Sequence, residues 1–556
     1  MGKKYTDMNQ KVKKDFFFLL LVILFTTLPF LNKPFNIDDA QYFEIASWID
    51  INPFNVAKHD FGWLGQQIKG GLIYETSHPI LFFYFLNVIS KIGHANSEAI
   101  YHLIYIFFPI LIAVSFYFIA AKFIEKPLYA VLLLLAMPGY LACSHTIMAD
   151  SPTLSFWLSA VCLYIYGLDG RKKCLYLTMV PVFFALGFSY QSLSLIPLLL
   201  FWALIKRQIS WKTLLPVIIP AGIFFGYLAI IYKMHGVFPF FANIRDYNIK
   251  NLILSPNYSQ TLGLKTIYIF SSVGSMLLIP SILFLSMELK ASKGKLIILG
   301  GVIFCFLISL EFISDYSFFY KFLFSIYFIS GFFIIVKSFS GLKKNLKIYG
   351  KNMDAMAPFF SVWCLGIIFY NIFIMPMGAI RFLLPLFPPL ILLFLKKFEI
   401  DTKWRHQKKI LVVFFAQMAF SLSVARADYE FASIYKDFSK TIPTLVSEKD
   451  HDIYFSGEWG FRYYMKKEGY IYFLNEHHSP KTGDFIIQPT LAYFEQRPES
   501  VASRLKLIKT KDYKGDIPLR LFNFEAKGGF WSHDHGLLPI SIGNNIIESF
   551  KIYQVS

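Results

Sequence analysis

Lys11-Val12-Lys13-Lys14-Asp15-Phe16-Phe17-Phe18-Leu19-Leu20-Leu21-Val22-Ile23-Leu24-Phe25 sets three lysines against an apolar run that continues to Phe30. That run approaches the roughly 20 residues needed to cross a bilayer. Asn32-Lys33-Pro34 follows in place of a small-residue cleavage site, so the segment reads as an uncleaved anchor with its basic end cytoplasmic. The whole chain repeats the signature. Its 556 residues are 55% hydrophobic and 19% aromatic but only 16% charged, well under the usual share of about a quarter. This excludes a disordered chain and an ordinary soluble enzyme. In a soluble protein the formal charge of +18 would suggest nucleic acid; here the basic residues sit in short connections between apolar runs, and no nucleic-acid partner is expected.

Apolar segments recur at 16–31, 99–121, 127–145, 151–168, 174–189, 190–206, 212–232, 264–287, 295–312, 319–337, 357–375, 380–396 and 409–425. They predict an α-helical polytopic membrane protein with about thirteen transmembrane helices. Lys122 and Lys126, Arg171 to Lys173, Lys206 to Lys212, Lys290 to Lys295, Lys337 to Lys351 and Lys396 to Lys409 then share one side with the N-terminal lysines. Short cytoplasmic loops collect basic residues, so the N-terminus is expected inside. An odd number of spans puts residues 426–556 outside, beyond a membrane domain of residues 1–425. The tail mixes short apolar runs (Asp452 to Phe455, Tyr470 to Phe473, Asp484 to Gln488, Leu505 to Ile508) with Gly and charge, which predicts a small extracytoplasmic α/β domain. A first outer loop, residues 32–98, carries a run from Pro79 to Ile92 that is too short to span comfortably and is expected to lie on the membrane surface, a further span being the alternative.

Charge near membrane depth is costly and marks candidates for function. Asp38 and Asp39 follow the first apolar helix, and Tyr42, Ile45, Ala46 and Ile49 after them repeat at helical spacing. Carboxylates at a helix start are favoured by its dipole, so a capping role is the plain alternative. Asp150, in Met148-Ala149-Asp150-Ser151-Pro152, stands where one span leaves the membrane and the next enters; it too suits a helix start. The threading puts all three on one side at one depth. The five cysteines lie in or beside apolar segments and imply neither a disulfide framework nor a CxxC metal site. His477-His478 and His533-Asp534-His535 are loop histidines for which no metal is expected.

Asp38-Asp39-Ala40-Gln41-Tyr42-Phe43-Glu44-Ile45-Ala46 resembles the D-E-x-x-Y-x-x-x-A stretch of GT-C membrane glycosyltransferases, the family 39 group that includes protein O-mannosyltransferases and lipid A aminoarabinose transferases. Ser77-His78-Pro79-Ile80-Leu81 resembles the group's H/K-P-P-L segment, and Met148 to Pro152 its second acidic motif. Arg381-Phe382-Leu383-Leu384-Pro385-Leu386-Phe387-Pro388-Pro389 is similar to its R-Y-L-L-P-L-x-P-P helix, and Gly457 to Met465 to an outer-domain motif of bacterial relatives. The chain departs from the pattern at Asp39, where Glu is usual, at Ile80 in place of a second Pro, and at Tyr190-Gln191-Ser192-Leu193, which replaces Thr-Lys-Gly-Pro.

The resemblance implies a GT-C fold and inverting transfer of a sugar from a polyprenyl-phosphate donor to an acceptor hydroxyl on lipid A, a glycan, a glycolipid or a protein. It places the reaction at the outer face of a bacterial inner membrane. The lipid phosphate leaves without a general acid, so no cofactor or metal is required. It assigns Asp38 as general base with Asp39 as its substitute, Asp150 as an orienting carboxylate, and Arg381, Arg245 and His78 as contacts of the donor phosphate. Two other readings use the same residues. A transporter of a lipid-linked or anionic substrate would use Arg381 and Asp150, and a membrane acyltransferase would need His145 paired with Asp150.

Overall fold

The computed structural model describes residues 2–55, 59–63, 66–68, 78–92, 97–236, 258–283, 285, 300–301, 303–304, 306–308, 310–340, 355–375, 377–405, 407–446, 451–475, 477–492 and 499–556. Among them six helices are long and apolar enough to cross a membrane: Glu98–Phe123, Asp150–Leu168, Trp211–His235, Phe318–Phe339, Met356–Phe373 and Gln407–Leu445. Pro127–Leu135 and Pro138–Ser144 are together long and apolar enough for a seventh, and the pair is bent by 66°. Pro138 lacks the N–H that would continue the first helix, so the chain turns there. Of the six, Asp150–Leu168 is the most enclosed, with 78% of its apolar stretch buried against 33% for Phe318–Phe339.

The described residues do not reach the expected count of about thirteen spans. The predicted 174–189 segment is two helices, Lys172–Leu177 and Met179–Phe188, and the predicted 295–312 segment lies largely outside the described residues. The Gly2–Thr27 helix carries its charges in its first half, which shortens its apolar part. Ile80–Ile92 is a 13-residue helix packed on Asp39–Ser47. Tyr258–Met276 and Phe318–Phe339 cross at paired glycines. A Cβ on Gly274 would fall 1.7 Å from the Tyr327 carbonyl, and one on Gly331 2.0 Å from that of Phe270. Only glycine lets two backbones approach so closely within a bundle.

Gln407–Leu445 has 39 residues and at 1.5 Å per residue runs about 58 Å, nearly twice the hydrocarbon thickness. The expected boundary at 425/426 thus falls inside one continuous helix, which carries Asp428, Tyr435, Lys436 and Phe438 into the tail. There Phe438 stacks on Phe550 with centroids 3.7 Å apart. The tail is α/β, built on a five-stranded sheet in the order Ile471–Tyr472, Ile453–Phe455, Phe485–Pro489, Glu548–Val555, Leu505–Tyr513. The first three strands pair in parallel and the last two antiparallel. Each of the four predicted runs forms a strand. The Glu548–Val555 strand was missed, although Phe550 and Ile552 alternate there with more exposed residues.

Residues 519–542 leave this sheet and fold back onto the helices. Tyr268, Ser271 and Tyr327 donate hydroxyl hydrogen bonds to the carbonyls of Gly529, Leu537 and Ile540. Ile380 N–H donates to the Phe530 carbonyl and His533 N–H to that of Gly378. Tail and bundle therefore share hydrogen bonds immediately before Arg381.

Candidate active site

Asp38 precedes the Asp39–Ser47 helix with φ −78° and ψ −4°, and its side chain makes no capping bond. Its carboxylate instead accepts a hydrogen bond from Arg381 Nη1 at 2.6 Å. Arg381 stands at the start of a 3-10 turn, Ile380–Leu386, that leads into the Phe387–Thr402 helix, and its side chain is 8% exposed against 17% for Asp38. The same Nη1 points at Met148 Sδ, 2.9 Å away, and the guanidinium lies over the Phe382 ring. Two residues beyond Met148, Asp150 opens its helix and feels the charges of both Arg381 and Asp38. The sequence-predicted residues Asp38, Asp150 and Arg381 thus form one cluster, although 343 positions separate Asp38 from Arg381. Among the described residues Arg381 Nε has no hydrogen-bond partner, so the guanidinium keeps an edge free of Asp38.

Asp39 does something different from its neighbour. It is 1% exposed, and its two oxygens accept the backbone N–H groups of Asn36 and Ile147, each at 3.0 Å. It therefore ties the loop after the first helix to the turn that presents Met148 and Asp150. Burial raises its pKa to about 7.

Tyr42, one turn after Asp38, places its hydroxyl 3.4 Å from the Asp38 carboxylate and 2.9 Å from His78 Nε2. His78 Nδ1 is 3.0 Å from the Phe188 carbonyl. A carbonyl only accepts, so the imidazole hydrogen sits on Nδ1 and Tyr42 donates to Nε2. Both ring nitrogens are thereby engaged within the protein. Burial, with Arg381 nearby, lowers its pKa from the ordinary 6.5 to about 4.

The unfolded chain then protonates His78 before the folded chain does, and stability is lost as pH falls from 6.5 towards 4. Asp39 acts in the opposite sense, because its folded form holds a proton up to about pH 7. The difference between variant and wild type isolates the histidine. His78→Gln should gain stability relative to wild type on going from pH 7 to pH 5 in thermal unfolding; a pH-independent difference would contradict this.

In the sequence Gln191 stands out only as a departure from a motif. Its side-chain amide donates to the Phe382 carbonyl at 2.8 Å, as Asn371 does at 3.2 Å, and so holds the turn that carries Arg381. No charge pattern marks such a role. Arg245 lies outside the described residues. His145 is buried and stacked on Phe30, centroids 4.4 Å apart, rather than ion-paired with Asp150. His478 Nδ1 accepts the Leu474 N–H, His535 stacks on Phe522, and among the described residues no group of three or more His, Cys, Asp or Glu could hold a metal ion.

Comparison with known proteins gives one family match. Residues 77–232 fit the family described as dolichyl-phosphate-mannose-protein mannosyltransferase. No curated protein sequence matches the chain. Among solved structures, ArnT from Cupriavidus metallidurans bound to undecaprenyl phosphate aligns at 11% identity over 90% of this chain and 96% of that one, with a TM-score of 0.44. The Archaeoglobus fulgidus oligosaccharyltransferase tethered to an acceptor peptide aligns at 12% identity over 82% and 63%, with a TM-score of 0.42. The matched segment contains His78, Asp150 and Gln191, so the resemblance of this chain to the GT-C class of membrane glycosyltransferases rests on a family match over residues 77–232 as well as on its motifs.

Proposed function

We propose that the protein transfers a sugar from a polyprenyl-phosphate donor to an acceptor hydroxyl at the outer face of a bacterial inner membrane, with inversion. The observation that carries this reading is the Asp38–Arg381 contact with Asp150 in electrostatic reach. It sets a proton acceptor beside a cation where the chain enters the most enclosed of its six long apolar helices. In the reaction Asp38 takes the acceptor's hydroxyl proton while that oxygen attacks the anomeric carbon. The bond from that carbon to the phosphate oxygen breaks, and the lipid phosphate leaves with its negative charge. General-base help is worth roughly 10² to 10⁴ in rate.

Arg381 serves the other half of the step. One Nη1 hydrogen holds Asp38, while the Nε edge faces the phosphate, a division that a planar fork of donors permits and an ammonium does not. Asp150 orients the acceptor and keeps Arg381 between two carboxylates. Tyr42 and His78 hold the wall behind Asp38. Arg245 remains a proposed second phosphate contact. Lipid A, a glycan, a glycolipid or a protein would each supply a suitable hydroxyl.

The test is transfer from radiolabelled polyprenyl-phosphate sugars to an envelope extract by the purified protein in lipid. Wild type should release polyprenyl phosphate and label an acceptor, and Arg381→Lys should retain at least about tenfold less donor. Intact donor after incubation with every sugar tried would refute the proposal.

A further inference from the structure

We infer that Arg462, a residue of the tail, is a positioning residue for Asp38 and acts on it through Glu44. The inference rests on the transferase reading for its kinetic consequence but not for its structural one. Glu44 lies on the Asp39–Ser47 helix, the short element that Asp38 precedes and that carries Tyr42. Arg462, on the Trp459–Lys467 helix, has a side chain that is 4% exposed. Its Nη2 donates to both Glu44 oxygens, at 3.0 and 2.8 Å, and its Nη1 to Glu458 at 3.0 Å and to the Gly62 carbonyl. Tyr472 of the tail and Phe61 of the first outer loop flank the guanidinium at 4.3 and 4.9 Å. One buried cation is thus shared between tail and loop. Glu458, fully buried, also accepts the Tyr472 hydroxyl at 2.5 Å and so keeps Arg462 in place.

The chain before Asp38 is gripped by the same body. Tyr464 accepts the Phe35 N–H at 2.9 Å and donates to Glu98 at 3.0 Å. A Cβ on Gly460 would meet the Phe35 carbonyl at 2.4 Å, which requires glycine at that approach. The tail therefore holds the loop at Phe35 and Glu44, on both sides of the acid, while the bundle holds Asp38 and Asp39 themselves through Arg381 and Ile147. A base has to sit within a few tenths of an ångström of its working geometry, and a 1 Å displacement can cost about 10² in rate. Loosening the Glu44 end lets the helix and Asp38 drift while the donor-binding edge of Arg381 stays on the bundle.

Glu44→Ala and Arg462→Met should each lower kcat at least about tenfold per folded molecule, with the donor KM changed less than about twofold, and Arg462→Lys should fall between them and wild type. Amide hydrogen exchange over residues 39–47 should quicken in the same order. Glu44→Gln keeps the shape and a hydrogen bond and serves if the alanine variant fails to fold. Lys527→Ala cuts another contact between tail and bundle, to Asp315 at 2.5 Å, and should change neither kcat nor exchange at 39–47. Unchanged exchange in Glu44→Ala overturns the proposal even if no sugar is ever transferred. A raised KM at constant kcat, or an equal loss in Lys527→Ala, also overturns it. Absence of turnover in wild type would fall on the transferase reading alone.

Discussion

Asp38→Asn is expected to lower the rate of sugar transfer by roughly 10² to 10⁴ while donor retention stays close to wild type. Asparagine has the same shape and keeps a carbonyl oxygen for the Arg381 Nη1 hydrogen, so the contact that locates Arg381 survives. What it lacks is a basic oxygen to take the acceptor's proton. The neighbouring variant should separate the two aspartates. Both Asp39 oxygens accept backbone N–H groups, and Asp39→Asn turns one acceptor into a donor facing a donor. That costs about 1–3 kcal/mol of stability without removing a group from the reaction. Transfer by Asp38→Asn within about threefold of wild type would refute its role as general base.

The second large effect belongs to stability. Lys33 and Asp428 form an ion pair with side chains 1% and 0% exposed, and Trp531 Nε1 donates to the other Asp428 oxygen at 3.0 Å. The three come from the loop after the first helix, the 39-residue helix and the folded-back tail segment, so one desolvated network joins all three. Removing one partner of a buried pair costs about 3–5 kcal/mol, because the remaining charge is left uncompensated. Lys33→Met and Asp428→Leu should each destabilise by that amount. Their combination should recover most of it, short of the ~1–3 kcal/mol owed to the unpartnered Trp531 N–H. Thermal unfolding in detergent measures all three. A double variant that loses the sum of the singles would show that the pair is not coupled.

Apolar run length and basic loops marked the helices because a bilayer admits little else. The strands at 453–455, 471–472, 485–489 and 505–513 were legible as short apolar runs between Gly and charge. Less legible were features that depend on what lies opposite a residue. Asp38 and Asp39 are adjacent and chemically identical, and either could have been the cap. Asp39 took the backbone N–H groups and Asp38 faced Arg381. The two ring nitrogens of His78 meet the Tyr42 hydroxyl and the Phe188 carbonyl, partners that no motif names.

By itself, then, the amino-acid order determined that the chain is a helical membrane protein with an α/β tail and that Asp38, Asp150 and Arg381 were its charges to watch, since period, length and desolvation cost are properties of a segment alone. The tertiary structure decided which of them meet, and it alone brought Arg462 to Glu44 and Asp428 to Lys33, across separations of 418 and 395 residues. Hydrogen bonds and ion pairs act over about 3 Å, and only the packed fold sets which groups come within that distance.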